Sequence, residues 1–147
     1  MQSFNLHNPQ HTFIAGIVGA GILALASSWL FRRPPPINRY DVESRFTDAI
    51  EYGGFVFISG QIGEGDSVEE QTRSALHCVD LALAKAGTDK SRVMECSCYL
   101  TDIKDYARMN SVYDEWLVGI KPPTRTVLQV KLFHPVCRVE FKVVAAL

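Results

Sequence analysis

Two segments near the C-terminus put ionisable groups where a half-buried strand favours apolar ones. Pro122-Pro123-Thr124-Arg125-Thr126 opens one apolar run with an arginine, and Val139-Glu140-Phe141-Lys142-Val143-Val144-Ala145 sets a carboxylate inside another. A guanidinium is permanently charged and grips a carboxylate through two parallel hydrogen bonds. A glutamate among apolar neighbours is suited to proton transfer near neutral pH. Together the two would clamp a carboxylate and move a proton. The plainer alternatives are a salt bridge at the strand end for Arg125 and a solvated Glu140 beside Lys142. In Ser59-Gly60-Gln61, Gly60 allows a ligand to approach the backbone closely, or simply ends a strand. Asn110, on a helix, either bonds a ligand or faces water.

Other chemistries find little support. His7, His11, His77 and His134 form no constellation, and there is no phosphate-cradling glycine loop or nucleophile elbow. Cys96 and Cys98 share one strand face, but no histidine pair completes a zinc site, so all four cysteines read as buried free thiols in a reducing compartment. The chain has 147 residues and a net charge of −1; residues 37–147 hold 13 basic and 16 acidic side chains. With no basic stripe, that balance argues against nucleic-acid binding. The length suits one domain with a real core.

The elements that must position these residues follow from periodicity. Phe46 to Tyr52 and Phe55 to Gln61 read as a hairpin around Gly53-Gly54. Residues 37–45 read as a polar lead-in. Ser67 and Glu70 predict a capping box for a first helix that buries Val68, Ala75, Val79, Ala82, Leu83 and Ala86 and stops at Gly87. A strand follows over 92–100. Thr101 or Asp102 caps a second helix with a stripe of Tyr106, Met109, Tyr113, Trp116 and Leu117. Strands over 124–133 and 138–146, with a turn at His134-Pro135, complete a β-β-α-β-α-β-β order. Two helices on one face of a mixed sheet make an α+β domain. The other face keeps apolar residues such as Phe55, Phe57 or Val127, which a subunit interface would bury.

Before this domain (39–147) lie a tail (1–12), an uncharged run of 19 residues (13–31) and a Pro-rich linker (32–38). As a helix the run would measure about 28 Å, close to the hydrocarbon thickness of a bilayer. Trp29 sits near one end, and Arg32-Arg33 follow directly. A cleaved secretory signal would need basic residues before the run, and a mitochondrial presequence would need scattered arginines. The preferred reading is a single-pass anchor with the C-terminal domain on the cytosolic or mitochondrial-matrix side. Ala15, Gly16, Gly19, Ala20 and Gly21 give it a small-residue face for helix packing.

Six blocks in order resemble the Rid (YjgF-type, reactive intermediate deaminase) family: Ser59-Gly60-Gln61, Val68 to Arg73, Tyr99-Leu100-Thr101-Asp102, Met109 to Tyr113, Pro122 to Arg125 and Val139-Glu140-Phe141. The resemblance implies a chorismate-mutase-like α+β fold, a trimer with ligand clefts between subunits, and no metal or organic cofactor. It implies hydrolysis of enamines and imines such as 2-aminoacrylate to 2-oxo acids and ammonia. By the same resemblance Arg125 binds the substrate carboxylate, Glu140 positions and activates water, Gly60 supplies a backbone contact, and Asn110 lines the cleft. Phe46 stands where active deaminases carry the tyrosine of a Gly-Pro-Tyr element, and Val127 where a cysteine often lies. The competing expectation is a catalytically weak Rid-fold subunit with a structural or ligand-sensing role in a membrane assembly.

Overall fold

Gly53 and Gly54 both take positive φ, 62° and 86°, and let Tyr52 pair directly with Phe55. A two-residue hairpin loop of this kind needs a left-handed backbone at both positions, which glycine adopts without steric cost. In the computed structural model, which describes residues 33–147, the domain runs β1 (Asn38–Val42), β2 (Thr47–Tyr52), β3 (Phe55–Ile62), α1 (Val68–Lys85), β4 (Val93–Leu100), α2 (Tyr106–Trp116), β5 (Thr124–Gln129) and β6 (Val139–Ala146). The α+β architecture is as expected. The span expected over 13–31 lies outside the described residues. Among the described residues no helix is long and apolar enough to cross a membrane.

One six-stranded sheet has the order β1-β2-β3-β6-β4-β5. Its neighbours are antiparallel except β4 and β5, which are parallel and joined through α2, as a parallel pair requires. β6 alternates strictly. Val139, Phe141, Val143 and Ala145 are buried, while Glu140, Lys142, Val144 and Ala146 point the other way. The buried set meets Val56 and Ile58 of β3, Cys96, Cys98 and Leu100 of β4, and the inner stripes of both helices.

Both helix starts follow local chemistry. The Ser67 hydroxyl accepts from the Glu70 amide, and the Glu70 carboxylate accepts from the Ser67 amide, so the capping box is formed. Asp102 caps a 3-10 turn, Ile103–Asp105, rather than α2 itself. That turn rotates the start of α2, leaving Tyr106 exposed and bringing Val112 into the stripe beside Met109, Tyr113 and Trp116.

Four other expectations change. The lead-in contains a strand, β1, whose side chains are largely exposed because it pairs on one edge only. Lys85 at the end of α1 forms an ion pair with its Asp41. The strand expected from Phe46 starts at Thr47, and Phe46 is left in the turn after β1. β5 stops at Gln129 instead of Phe133, because the chain there leaves the sheet edge. Val127 pairs with Cys98 and packs against the core, so it lies on the helix side, not on the open face with Phe55 and Phe57.

An ion pair with a buried carboxylate fixes the start of β6. Asp105, only 4% exposed, accepts two-pronged bonds from the Arg138 guanidinium. Gln71 of α1 accepts from the Arg138 amide and donates to the carbonyls of Gly65 and Val136. This ties α1, the approach to α2 and the approach to Glu140 together. Removing Asp105 leaves the Arg138 guanidinium, 37% exposed, partly solvated, so the cost is about 1 kcal/mol and not that of a fully buried pair. Asp105→Ala should lower the urea midpoint by that equivalent, whereas a change under about 0.5 kcal/mol would make the pair incidental.

Candidate active site

β5 carries Arg125 along the sheet edge, and its register opposite Cys96 turns the side chain toward the helices. There the guanidinium carbon lies 4.0 Å from the centre of the Tyr113 ring, and Nη2 donates to the Met109 thioether at 3.1 Å. A desolvated cation over an aromatic face is worth about 2 kcal/mol. No acidic side chain pairs with Arg125 among the described residues. Its Nε is buried without a hydrogen-bond partner, as are the Tyr113 hydroxyl and Asn110 Oδ1. An unpaired buried polar group costs about 1–3 kcal/mol, so three of them along one helix and strand set this cluster apart from the bonded core.

The sulfur groups beside Arg125 are quiet. Burial pushes the Cys98 thiol up to about 12 and raises Cys96 as well, despite the opposing pull of the nearby guanidinium. Burial likewise raises the Tyr113 phenol. All four cysteines are free, and Cys78 alone is not fully buried.

Glu140 occupies a different place. It is half-buried on the open face of the sheet, opposite Tyr99 of β4 and Ile62 of β3. The β3–β6 register slips between Ile58 and Gln61, and this irregularity brings the Gly60 backbone against the Glu140 side chain. A methyl group at Gly60 would overlap the Glu140 carboxylate. The glycine lets the carboxylate lie against the backbone, and a larger residue would push that flexible side chain aside. Gln61 is buried, and its amide donates to the Ser59 hydroxyl at 3.2 Å.

One chain therefore brings Gly60 to Glu140, and Asn110 and Arg125 to the α2–β5 edge, but not one pair to the other. Arg125 and Glu140 sit on opposite faces with β4 between their strands, about 10 Å apart across the sheet alone. Phe46, 55% exposed, joins neither group in the structure. Tyr113 was read from the sequence only as part of the helix stripe; its place four residues after Met109 and three after Asn110 is the signal that links it to the site. A cavity of about 550 Å³ lined by Thr101, Gln129 and the 130–135 loop holds none of these residues. Its Phe133 is 81% exposed, so it is a groove between loop side chains. Among the described residues no group of three or more His, Cys, Asp or Glu side chains is arranged to hold a metal.

The α+β domain has known counterparts. Residues 36–147 match the family model described as Endoribonuclease L-PSP, and the chain belongs to that family. It is 35% identical over 113 residues to a RutC family protein of Haemophilus ducreyi, covering 76% of this chain and 97% of the relative. It is 34% identical over 111 residues to the RutC family protein YoaB of Escherichia coli K12, covering 75% and 97%. The crystal structure of a YjgF family member from Neisseria meningitidis superposes with a TM-score of 0.75 at 34% identity, over 78% of this chain and 97% of the other. The Rid family protein YyfA of Yersinia pestis gives 0.69 at 26% identity, over 72% and 90%. The Rid/YjgF resemblance is borne out at the level of family and fold.

The buried thiols give a pH signature. In the unfolded chain Cys98 loses its proton near its ordinary value of 9.0, whereas in the fold it holds it until about 12. The unfolded state therefore binds fewer protons across this window, and stability falls as pH rises through it. The thermal midpoint should drop between pH 9 and 11, and drop less in Cys98→Val. Identical profiles for the two proteins would contradict burial as the cause.

Proposed function

We propose that this protein hydrolyses small carboxylate-bearing enamines and imines to 2-oxo acids and ammonia. Its working site is shared between copies of the chain. The observation that carries the reading is Arg125, a guanidinium held over an aromatic ring with a buried, unbonded Nε and no acidic partner among the described residues. Such a group favours an incoming carboxylate. RNA cleavage, which the family model's description suggests, fits less well with a domain of net charge −3 and an arginine turned inward.

In this reading a trimer sets the α2–β5 edge of one subunit against the open sheet face of the next. That face exposes Phe55 and Phe57, whose burial would favour association. Arg125 and Asn110 of one copy then meet Gly60 and Glu140 of its neighbour. Arg125 holds the carboxylate of 2-aminoacrylate. A proton added at C3 converts the enamine to the iminium, and Glu140 takes a proton from water as its oxygen bonds to C2. Glu140 returns that proton to the carbinolamine nitrogen, the C2 hydroxyl releases its own proton as the C–N bond breaks, replacing the one added at C3, and ammonia departs to give the 2-oxo acid. Residues 13–31 tether the domain to a membrane, with the basic pair after the span setting the domain on the cytosolic or matrix side.

A second reading, a ligand-binding or structural subunit of a membrane assembly, is favoured by Phe46. This residue lacks the hydroxyl that active family members carry at its position and is exposed in the single chain.

The full chain, supplied with 2-aminoacrylate generated in situ, distinguishes the readings. Arg125→Ala and Glu140→Gln should each abolish acceleration of 2-oxo acid release. Co-expressed in equal amounts, the two variants should recover about a quarter of wild-type activity, because random assembly leaves one shared site in four with both groups intact. Recovery of nothing, with mixed trimers present, would place both groups in one subunit's site. No acceleration by wild type would favour the binding subunit.

A further inference from the structure

The aromatic ring beneath Arg125 is itself braced. Tyr113 and Phe141 lie nearly parallel, with an interplanar angle of 6° and centroids 6.1 Å apart. Phe141 is fully buried on the central strand, and Tyr113 is 2% exposed. The arginine thus lies at the outer end of a three-member stack that begins in the core. An arginine without an acidic partner has several side-chain torsions to fix before it can bind an anion, and fixing them on binding weakens affinity. Here the ring lies against the plane, and the Met109 thioether engages Nη2. Nη1 makes no hydrogen bond among the described residues, and Nε is buried without one.

We propose that Tyr113 is a positioning residue for anion binding, and that it holds the guanidinium of Arg125 in place for the ligand. The inference rests on the reading of Arg125 as the carboxylate-binding group. The ring alone performs the task. The Tyr113 hydroxyl lies beside the Cys96 thiol and makes no hydrogen bond to the guanidinium, so it does not hold it. A ligand carboxylate meets the outer end of the guanidinium, its two oxygens accepting from the terminal nitrogens, which is one of the fork geometries arginine offers.

The test uses the full-length protein and 2-oxobutanoate as the probe, with titration calorimetry and the Nε–H resonance of Arg125 as readouts. Tyr113→Phe should bind within about twofold of wild type, and Tyr113→Leu roughly tenfold more weakly, the cost of ordering a freed side chain on binding. With 2-aminoacrylate, Tyr113→Leu should raise KM and leave kcat nearly unchanged, since the same contacts form once the ligand is bound. In wild type the Nε–H signal should be a single sharp peak, displaced by the ring before ligand is added and moved again by the probe. A Tyr113→Leu protein that binds as tightly as wild type, while Arg125→Ala does not bind, would reduce Tyr113 to core packing. Unchanged binding by Arg125→Ala would instead remove the carboxylate reading on which the inference stands. Should Tyr113→Leu fail to fold, a wild-type Nε–H signal averaged with those of mobile arginines would overturn the proposal on its own.

Discussion

Successive side chains of a β-strand leave on opposite faces, and in β6 this alternation separates structure from chemistry. Val139, Phe141, Val143 and Ala145 go under the helices, and Glu140 goes to the open face. Shifting the strand by one residue would bury Glu140 and Lys142 and expose Phe141, so the pairing register is strongly specified. The same rule, applied through β4 to β5, sends Arg125 inward beside Cys96. The two ionisable groups are thereby divided between faces by pleat geometry alone. No side-chain rotation within one chain carries either through the sheet.

The helix-side group is costly as it stands. Three buried polar atoms lack partners, and an arginine lies over tyrosine without a counter-charge among the described residues. Dispersion and cation–π attraction offset part of this cost. Elsewhere the domain satisfies its buried polar groups carefully, as in the contacts among Asp105, Arg138 and Gln71. The start of β6 carries a fully bonded network and the α2–β5 edge an under-bonded cluster, and the proposed ligand site lies at the second.

Local signals were legible in the sequence, and long-range ones were not. The Gly53-Gly54 hairpin, the Ser67–Glu70 capping box and the α1 stripe depend on residues within a few positions of one another. β1 escaped because an edge strand with both faces largely exposed shows no apolar alternation. Tyr106 was placed in the α2 stripe because the 3-10 turn that rotates the helix start leaves no periodic trace. Val127 was placed on the wrong face because the face of β5 depends on its parallel pairing with β4, set by a crossover rather than by β5 itself. For the site, the residue types at 60, 110, 125 and 140 could be read, but their division into two groups required the sheet order. The bracing of Arg125 by Tyr113 and Phe141 joins three elements and has no signature in any one of them.

β6 lies in the middle of the sheet, yet it is translated after every strand it joins. While the ribosome is still extending the chain, β3 and β4 have no shared neighbour, and each offers an open edge with apolar side chains beside it. Two of the five strand pairings wait for residues 139–146 to arrive. Vectorial synthesis therefore leaves a prolonged interval in which the nascent domain is open to mispairing, and chaperone occupancy should peak just before the final strand emerges.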